Sequence, residues 1–180
     1  MLIAADIELR RATVADAAAL AAAHLRNVDH LRSIEPYRGP DFYTAETQAA
    51  RISEDNGATW LLFDKAADGQ VVGRLALSGI ALGPLCSANL GYWVDGDYRG
   101  RGLIPAAVEE VCRAARDELG LHRVEAGTLT DNTASQRVLA KCGFTEYGLA
   151  PNYLHINGAW RDHVLFQRLL HDDPPAHIPK

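Results

Sequence analysis

The clearest pattern in the chain is a single stripe. Ile104, Ala107, Val108, Val111, Cys112, Ala115 and Leu119 recur at i, i+3, i+4, i+7 and i+8, with polar residues between them. That period marks one buried face of an α-helix, and Gly120 supplies the stop. Shorter apolar runs read as strands: IELRRAT (7–13), ANLGYWVD (88–95) and HRVEAGTLT (122–130). ATWLLFDK and QVVGRLALSGIAL flank an ADG turn, and FTEYGLAPNYLHI and AWRDHVLFQRLL meet at NG, so each pair predicts a hairpin. Three more helices are expected. The alanine-rich VADAAALAAAHLRNV follows Thr13 with Asp16 three residues on, as in a capping box. TAETQAARISEDNG (44–57) is capped by Thr44 and stopped by Gly57, and DNTASQRVLAKCG (131–143) has Asp131 or Asn132 at its cap and Gly143 at its end. SIEPYRGPDFY (33–43), with two prolines and a glycine, reads as loop. The order β-α-α-β-β-β-α-β-α-β-β predicts a single α/β (α+β) domain, a mixed central sheet of about six or seven strands flanked by about four helices.

The bulk numbers agree with one domain spanning 1–180. At 180 residues, 48% hydrophobic and 23% charged, the chain can bury a substantial core, expected over about 7–168, ahead of a polar tail HDDPPAHIPK (171–180). A net charge of −5 argues against sequence-independent nucleic-acid binding. Three scattered cysteines without a CxxC imply neither a disulfide framework nor a zinc site. Seven histidines without ligand spacing and without HExxH imply no metal. No signal-peptide pattern and no run of 18 apolar residues occurs, so no membrane association and a cytoplasmic location are expected.

Chemistry concentrates in YRGRGLIPAAVEEV (98–111), where Gly100 and Gly102 alternate with Arg99 and Arg101 just before the striped helix. Helix N-termini carry unpaired N–H groups and the positive end of the macrodipole, and glycines let backbone approach a ligand closely. The stretch reads as a phosphate cradle. No lysine follows as in a Walker loop, and the third glycine of a dinucleotide fingerprint is missing, so both nucleotide readings fail.

What remains resembles the GNAT N-acetyltransferases, whose pyrophosphate loop runs Q/R-x-x-G-x-G/A. Arg99 and Gly102 fit its first and fourth positions; Ile104 departs at the sixth. DNTASQRVLAKCGF is similar to the N-x-x-S-x-x-V-L-x-K-x-G-F segment of the ribosomal-protein acetyltransferase (RimJ/RimL) branch, as are LRSIEPYRGPDFYT and YLHINGAWRDHVLF. The resemblance covers about 7–168, with its motifs in family order.

It implies a GNAT fold in which two parallel strands splay to form the cleft for acetyl-CoA. The strand ending in Trp93 and Val94 would offer backbone to the pantetheine arm, and amides of Gly100, Arg101, Gly102, Leu103 and Ile104 would cradle the pyrophosphate behind Arg99. Pro105 has no N–H to add but suits a first helical turn. Asn132 would bond the pantetheine arm as well as cap its helix. Many relatives place a tyrosine acid four residues after Ser135; Leu139 stands there, which leaves Ser135 as the candidate acid for the departing thiolate.

The implied reaction is direct transfer of acetyl from acetyl-CoA to a primary amine in a ternary complex, the acceptor being a protein N-terminus or a small molecule. A modest base or a water relay suffices, because an α-amine loses its proton near pH 8. Glu35 lies where this branch builds its acceptor groove and is the candidate base, although a loop carboxylate is more commonly just solvated. Glu125 is open to either the cleft or a buried partner, and Asp162 to a structural role. Glu35, Asp41 and Glu46 would suit a cationic acceptor. A homodimer is compatible with this reading, and a non-catalytic acyl-CoA-binding module is the competing class.

Overall fold

The computed structural model describes residues 1–175, so 176–180 of the expected tail lie outside the described residues. Two strands, β1 (Leu2–Ala4) and β2 (Ile7–Arg11), lead into helices α1 (Ala17–Arg26) and α2 (Val28–Leu31), and then α3 (Ala45–Ile52). Strands β3 (Ala58–Asp64), β4 (Gln70–Ala81) and β5 (Ser87–Val94) follow as a meander. Helix α4 (Leu103–Asp117), strand β6 (Arg123–Leu129), helix α5 (Thr133–Lys141) and the hairpin β7 (Thr145–Ile156) and β8 (Ala159–Leu169) complete the fold. The sheet has eight strands in the order β1-β2-β3-β4-β5-β6-β8-β7, antiparallel throughout except where β5 meets β6.

The sheet thus carries one strand more than expected. β1 is three residues long, too short to show a period, and it exists because Leu2 and Ala4 pair with Glu8 and Ile7 across a tight turn. The first helix breaks in two at Asn27, giving α1 and the single turn α2, so there are five α-helices. Asn27 leaves the helix because its side chain is used elsewhere, as shown below. α3 ends at Ile52, with Ser53 as its C-cap and five residues before the expected stop at Gly57, and the loop 33–43 contains a 3-10 turn at Pro40–Tyr43. The Thr44 hydroxyl accepts from the Thr47 N–H at 3.2 Å, capping α3 as its sequence predicts.

The striped face of α4 does what its spacing requires. Ile104, Ala107, Val108, Val111, Cys112 and Ala115 are buried against Leu75, Leu77, Ala88, Leu90 and Val124 on one face of the sheet, and Leu119 packs at the edge of that core. On the opposite face, Leu20, Ala23 and Leu31 of α1 and α2 pack on Leu61, Phe63, Val71 and Trp93. The sheet is therefore covered on both sides.

At the start of α1, Arg10 grips the Asp16 carboxylate with two hydrogen bonds of 2.8 and 2.6 Å, and the Thr13 N–H adds a third at 2.8 Å. The Arg10 bonds, with help from Thr13, hold the Asp16 carboxyl down to about 2 from 3.8. Since the folded value lies below the unfolded one, this stability is complete above pH ~4 and is lost as pH falls toward 2. With solvent screening on the Arg10 side, it amounts to about 1–2 kcal/mol. The expected outcome is that Asp16→Asn lowers the urea midpoint at pH 6, with the gap to wild type closing between pH 4 and pH 2. A gap independent of pH would contradict this account.

Candidate functional site

The site begins where β5 and β6 part. They pair at only three positions, Ser87 with Arg123, Ala88 with Val124 and Asn89 with Glu125. Beyond these each strand keeps its outer partner: β5 stays on β4 as far as Val94 opposite Gly73, and β6 stays on β8 as far as Leu129 opposite His163. The gap between the inner edges is the cleft.

β5 runs directly into the glycine loop, and a buried carboxylate fixes the junction. Asp95 accepts from Arg26 Nε at 2.8 Å, Asn27 Nδ2 at 3.0 Å and the Asp97 N–H at 3.2 Å, while Asn27 Oδ1 accepts from the Gly96 N–H at 3.2 Å. Burial pushes the Asp95 carboxyl up, but the Asn27 and Arg26 hydrogen bonds outweigh it and leave it below the ordinary carboxylate value. The end of α1 is thereby pinned to the start of the loop. Gly100 and Gly102 then adopt φ of +74° and +73°, which side-chain-bearing residues rarely do. Among the described residues, the amides of Gly100, Arg101, Gly102, Leu103 and Ile104 donate to no protein acceptor; the next N–H, from Ala106, bonds back to the Gly102 carbonyl at 3.4 Å. Five consecutive free donors at a helix N-terminus form a nest whose geometry and dipole suit an anion.

This nest closes one end of a groove of about 550 Å³. Trp93, Val94, Arg99, Gly100, Gly102, Leu103, Ile104, Asn132 and Ser135 all line it. Two expectations need refinement. Arg101 does not line the groove: its guanidinium lies 4.5 Å from the Tyr98 ring centre and donates to the Asp97 carbonyl, leaving only its amide for the nest. The Trp93 indole is buried on the far face of the sheet, 5.1 Å from the His24 ring, so Trp93 can offer the groove only backbone.

Ser135 is held from two sides. Its N–H donates to Asn132 Oδ1 at 3.1 Å, so Asn132 is the N-cap of α5, and its hydroxyl shares a 2.7 Å hydrogen bond with the Tyr92 hydroxyl. Burial pushes the Tyr92 phenol up to about 12, against the Ser135 bond, so it stays protonated. Leu139 is wholly buried in the core. Tyr92 was not among the residues singled out from sequence. Only strand alternation marks it, because Tyr92 and Val94 face α4 while Trp93 faces α1.

A second cavity of about 140 Å³ continues from the groove through the parted strands. Tyr92, Asn132 and Ser135 belong to both, and Glu35 and His163 appear on its walls. Burial raises the Glu35 carboxyl, opposed by the charges of Arg38, Arg74 and Arg51. Arg38 and Arg51 stand 4.8 and 5.2 Å from the Phe42 ring centre, and none of the three arginines has a carboxylate within 4.0 Å among the described residues. The loop around Glu35 is thus not the acidic surface its sequence suggests. His24 nearby is pushed down to about 3 by burial and then by the same arginines, and neither of its nitrogens has a partner.

Glu125 faces neither the core nor a free cleft: it lies 3.6 Å from Arg123 and accepts from the Tyr147 hydroxyl at 3.1 Å. Asp162 accepts the Asn152 N–H at 2.8 Å and shapes the β7–β8 hairpin. All three cysteines are buried, and burial pushes Cys112 up to about 12 and raises Cys142, so neither supplies a thiolate. Among the described residues no group of three or more His, Cys, Asp or Glu is placed to hold a metal, and no helix is long and apolar enough to cross a membrane.

A sheet opened between two parallel strands, with an anion nest at the head of the following helix, is the architecture of an acyl-CoA-dependent acetyltransferase. Residues 6–145 match the acetyltransferase (GNAT) domain family, and the chain belongs to it. It is 36% identical over 180 residues to the probable N-acetyltransferase YjcK of Bacillus subtilis, covering 96% of this chain and 99% of that one. The ribosomal-protein-S5-alanine acetyltransferase of Vibrio fischeri superposes with a TM-score of 0.89 at 30% identity, covering 95% of this chain and 97% of that one. Mycobacterium smegmatis RimJ, solved in complex with CoA-disulfide, gives 0.81 at 31% identity over 95% and 86% of the two chains.

A methyl group at Gly100 or Gly102 would meet no atom within 4 Å, so substitution there tests backbone conformation alone. Gly102→Ala should cost about 1–2 kcal/mol and lower Tm by roughly 2–8 °C without added ligand. An unchanged Tm in differential scanning calorimetry would show that the loop does not need its left-handed turns.

Proposed function

We propose that this protein transfers the acetyl group of acetyl-CoA to a primary amine by direct attack in a ternary complex. The observation that carries this reading is the continuous opening through the sheet. The groove draws its walls from Tyr92, Val94 and Leu103 on the α4 side and from His30 and Ile34 on the other, and the smaller cavity shares Tyr92, Asn132 and Ser135 with it, so two substrates can meet between β5 and β6. The pyrophosphate would take the free amides of 100–104, and the pantetheine arm would take the unpaired inner edge of β5 and the Asn132 side chain. The thioester would then lie beside Ser135.

As the amine attacks, negative charge moves onto sulfur, and the Ser135 hydroxyl is the group placed to meet it. Tyr92, held protonated, is hydrogen-bonded to that hydroxyl and can stabilise the serine oxygen when its proton is given up. The acceptor class the reading favours is the α-amine of a protein or peptide. It is supported by the name of the Vibrio fischeri relative, an enzyme for the alanine of ribosomal protein S5, at 30% identity over almost the whole chain.

Acetyl-CoA at a hundredfold excess over Kd should add about 2.7 kcal/mol to stability, visible as a rise in Tm. Ser135→Ala should lower kcat about 10- to 1000-fold with acetyl-CoA affinity nearly unchanged, because the interaction strengthens only as charge develops. The assay is release of free CoA with a panel of N-terminal alanine and serine peptides, polyamines and amino acids. Affinity without turnover on any amine would indicate a binding module instead, and unchanged kcat in Ser135→Ala would remove the serine from the mechanism.

A further inference from the structure

His163 stands on β8 opposite Leu129 of β6 and Ala150 of β7. The residue is only 3% exposed, yet it forms part of the wall of the cavity that also holds Ser135 and Glu35. Its Nδ1 lies 3.1 Å from the Arg161 carbonyl oxygen. A carbonyl only accepts, so Nδ1 carries the hydrogen, and the neutral ring keeps its lone pair on Nε2. Nε2 has no hydrogen-bond partner among the described residues, and it is absent from the nitrogens sealed away from solvent, which include both of His24. With Nδ1 engaged by the carbonyl, Nε2 is the nitrogen left free on a side chain that lines the cavity.

We propose that His163 is the general base of acetyl transfer, its Nε2 taking the proton that the acceptor ammonium must lose, directly or through one water. The proposal rests on the acetyl-transfer reading above. One proton passes from the ammonium to Nε2, and the neutral amine attacks the thioester carbonyl. The N–C bond forms and the C–S bond breaks. The remaining extra proton on nitrogen balances the thiolate by way of Ser135, and the imidazolium releases its own to solvent. The products are the amide, CoA thiol and one proton.

The other groups near this position serve the role less well. From the loop before α3, Glu35 faces the same cavity and burial raises its carboxyl, but the charges of Arg38, Arg74 and Arg51 beside it oppose the approach of an ammonium. From β7, the Tyr153 ring packs on the imidazole with centroids 5.3 Å apart. From β6, Gly127 and Leu129 bring only backbone and apolar contact. On the same strand, the Arg161 side chain is engaged by Asp131 at 3.0 Å. A Cβ at Gly127 would make only ordinary contact with His163 Cδ2, at 3.6 Å. His163 belongs to the family-like segment YLHINGAWRDHVLF, but its place beside the cavity depends on the pairing of Leu129 with His163, 34 residues apart in the chain.

The test is His163→Gln, which keeps hydrogen-bonding capacity and removes the base, with Glu35→Gln as the comparison. At saturating acetyl-CoA, kcat/KM for the best acceptor peptide should fall about 10²- to 10⁴-fold near pH 7. It should then climb tenfold per pH unit toward the wild-type value as the free amine accumulates, while acetyl-CoA binding stays within about twofold. In the ligand-free wild type, long-range ¹H–¹⁵N correlation should show a protonated Nδ1 and an unprotonated Nε2 at His163. A wild-type pH profile in His163→Gln, or this signature in Glu35→Gln instead, would overturn the proposal, as would a proton found on Nε2. A wild type that binds acetyl-CoA and acetylates no amine would overturn the acetyl-transfer reading itself, whereas full activity in His163→Gln would overturn only the role of His163.

Discussion

Two parallel strands that stop hydrogen-bonding after three pairs are the constraint on which this structure turns. Unpaired backbone N–H and C=O groups inside a sheet are costly unless something else satisfies them. β5 and β6 tolerate the separation because each stays paired on its outer side past the point where they part, β5 with β4 and β6 with β8. The inner edges are left as a row of donors and acceptors facing a gap. An extended ligand can add itself to such an edge as a further strand would. The proposed place of the pantetheine arm follows from that unmet hydrogen-bonding capacity.

The gap has chemistry only because its two mouths differ. Alternation along β5 sends Tyr92 and Val94 to the α4 side and Trp93 to the α1 side. The first side ends in a helix N-terminus and a nest of five free amides, suited to an anion. The second ends among Glu35, His163 and three arginines, and it is there that an amine would have to lose its proton. The Asp95 carboxylate joins the two, because the same residue that closes β5 binds Arg26 and Asn27 of the helix on the opposite face. Breaking α1 at Asn27 is the structural cost of that link.

The hydroxyl pair of Tyr92 and Ser135 shows how a departure in sequence is met by a neighbour in space. Leu139 occupies the position where many relatives place a tyrosine, and it is committed to the core. A phenol nevertheless reaches the same neighbourhood, from β5 rather than from α5, and lies 2.7 Å from the Ser135 hydroxyl on the wall of the groove. Burial raises the thiols of Cys112 and Cys142, so neither offers a thiolate to compete, which favours transfer without a covalent enzyme intermediate.

The sequence by itself determined the elements that local physics can specify. The α4 stripe, the Thr13–Asp16 and Thr44 caps, the NG hairpin and the left-handed glycines at 100 and 102 are properties of residues within a turn or two of one another. Together with the family resemblance they pointed to the groove residues 93–94, 99, 100, 102–104, 132 and 135. What only the tertiary structure decided involves residues far apart in the chain. The arginines gathered around Glu35, the Tyr92–Ser135 bond and the place of His163 beside the cavity depend on how distant segments pack and on the register of non-adjacent strands. A one-residue shift in that register would send every one of these strand side chains to the other face, and no local pattern in the chain encodes it.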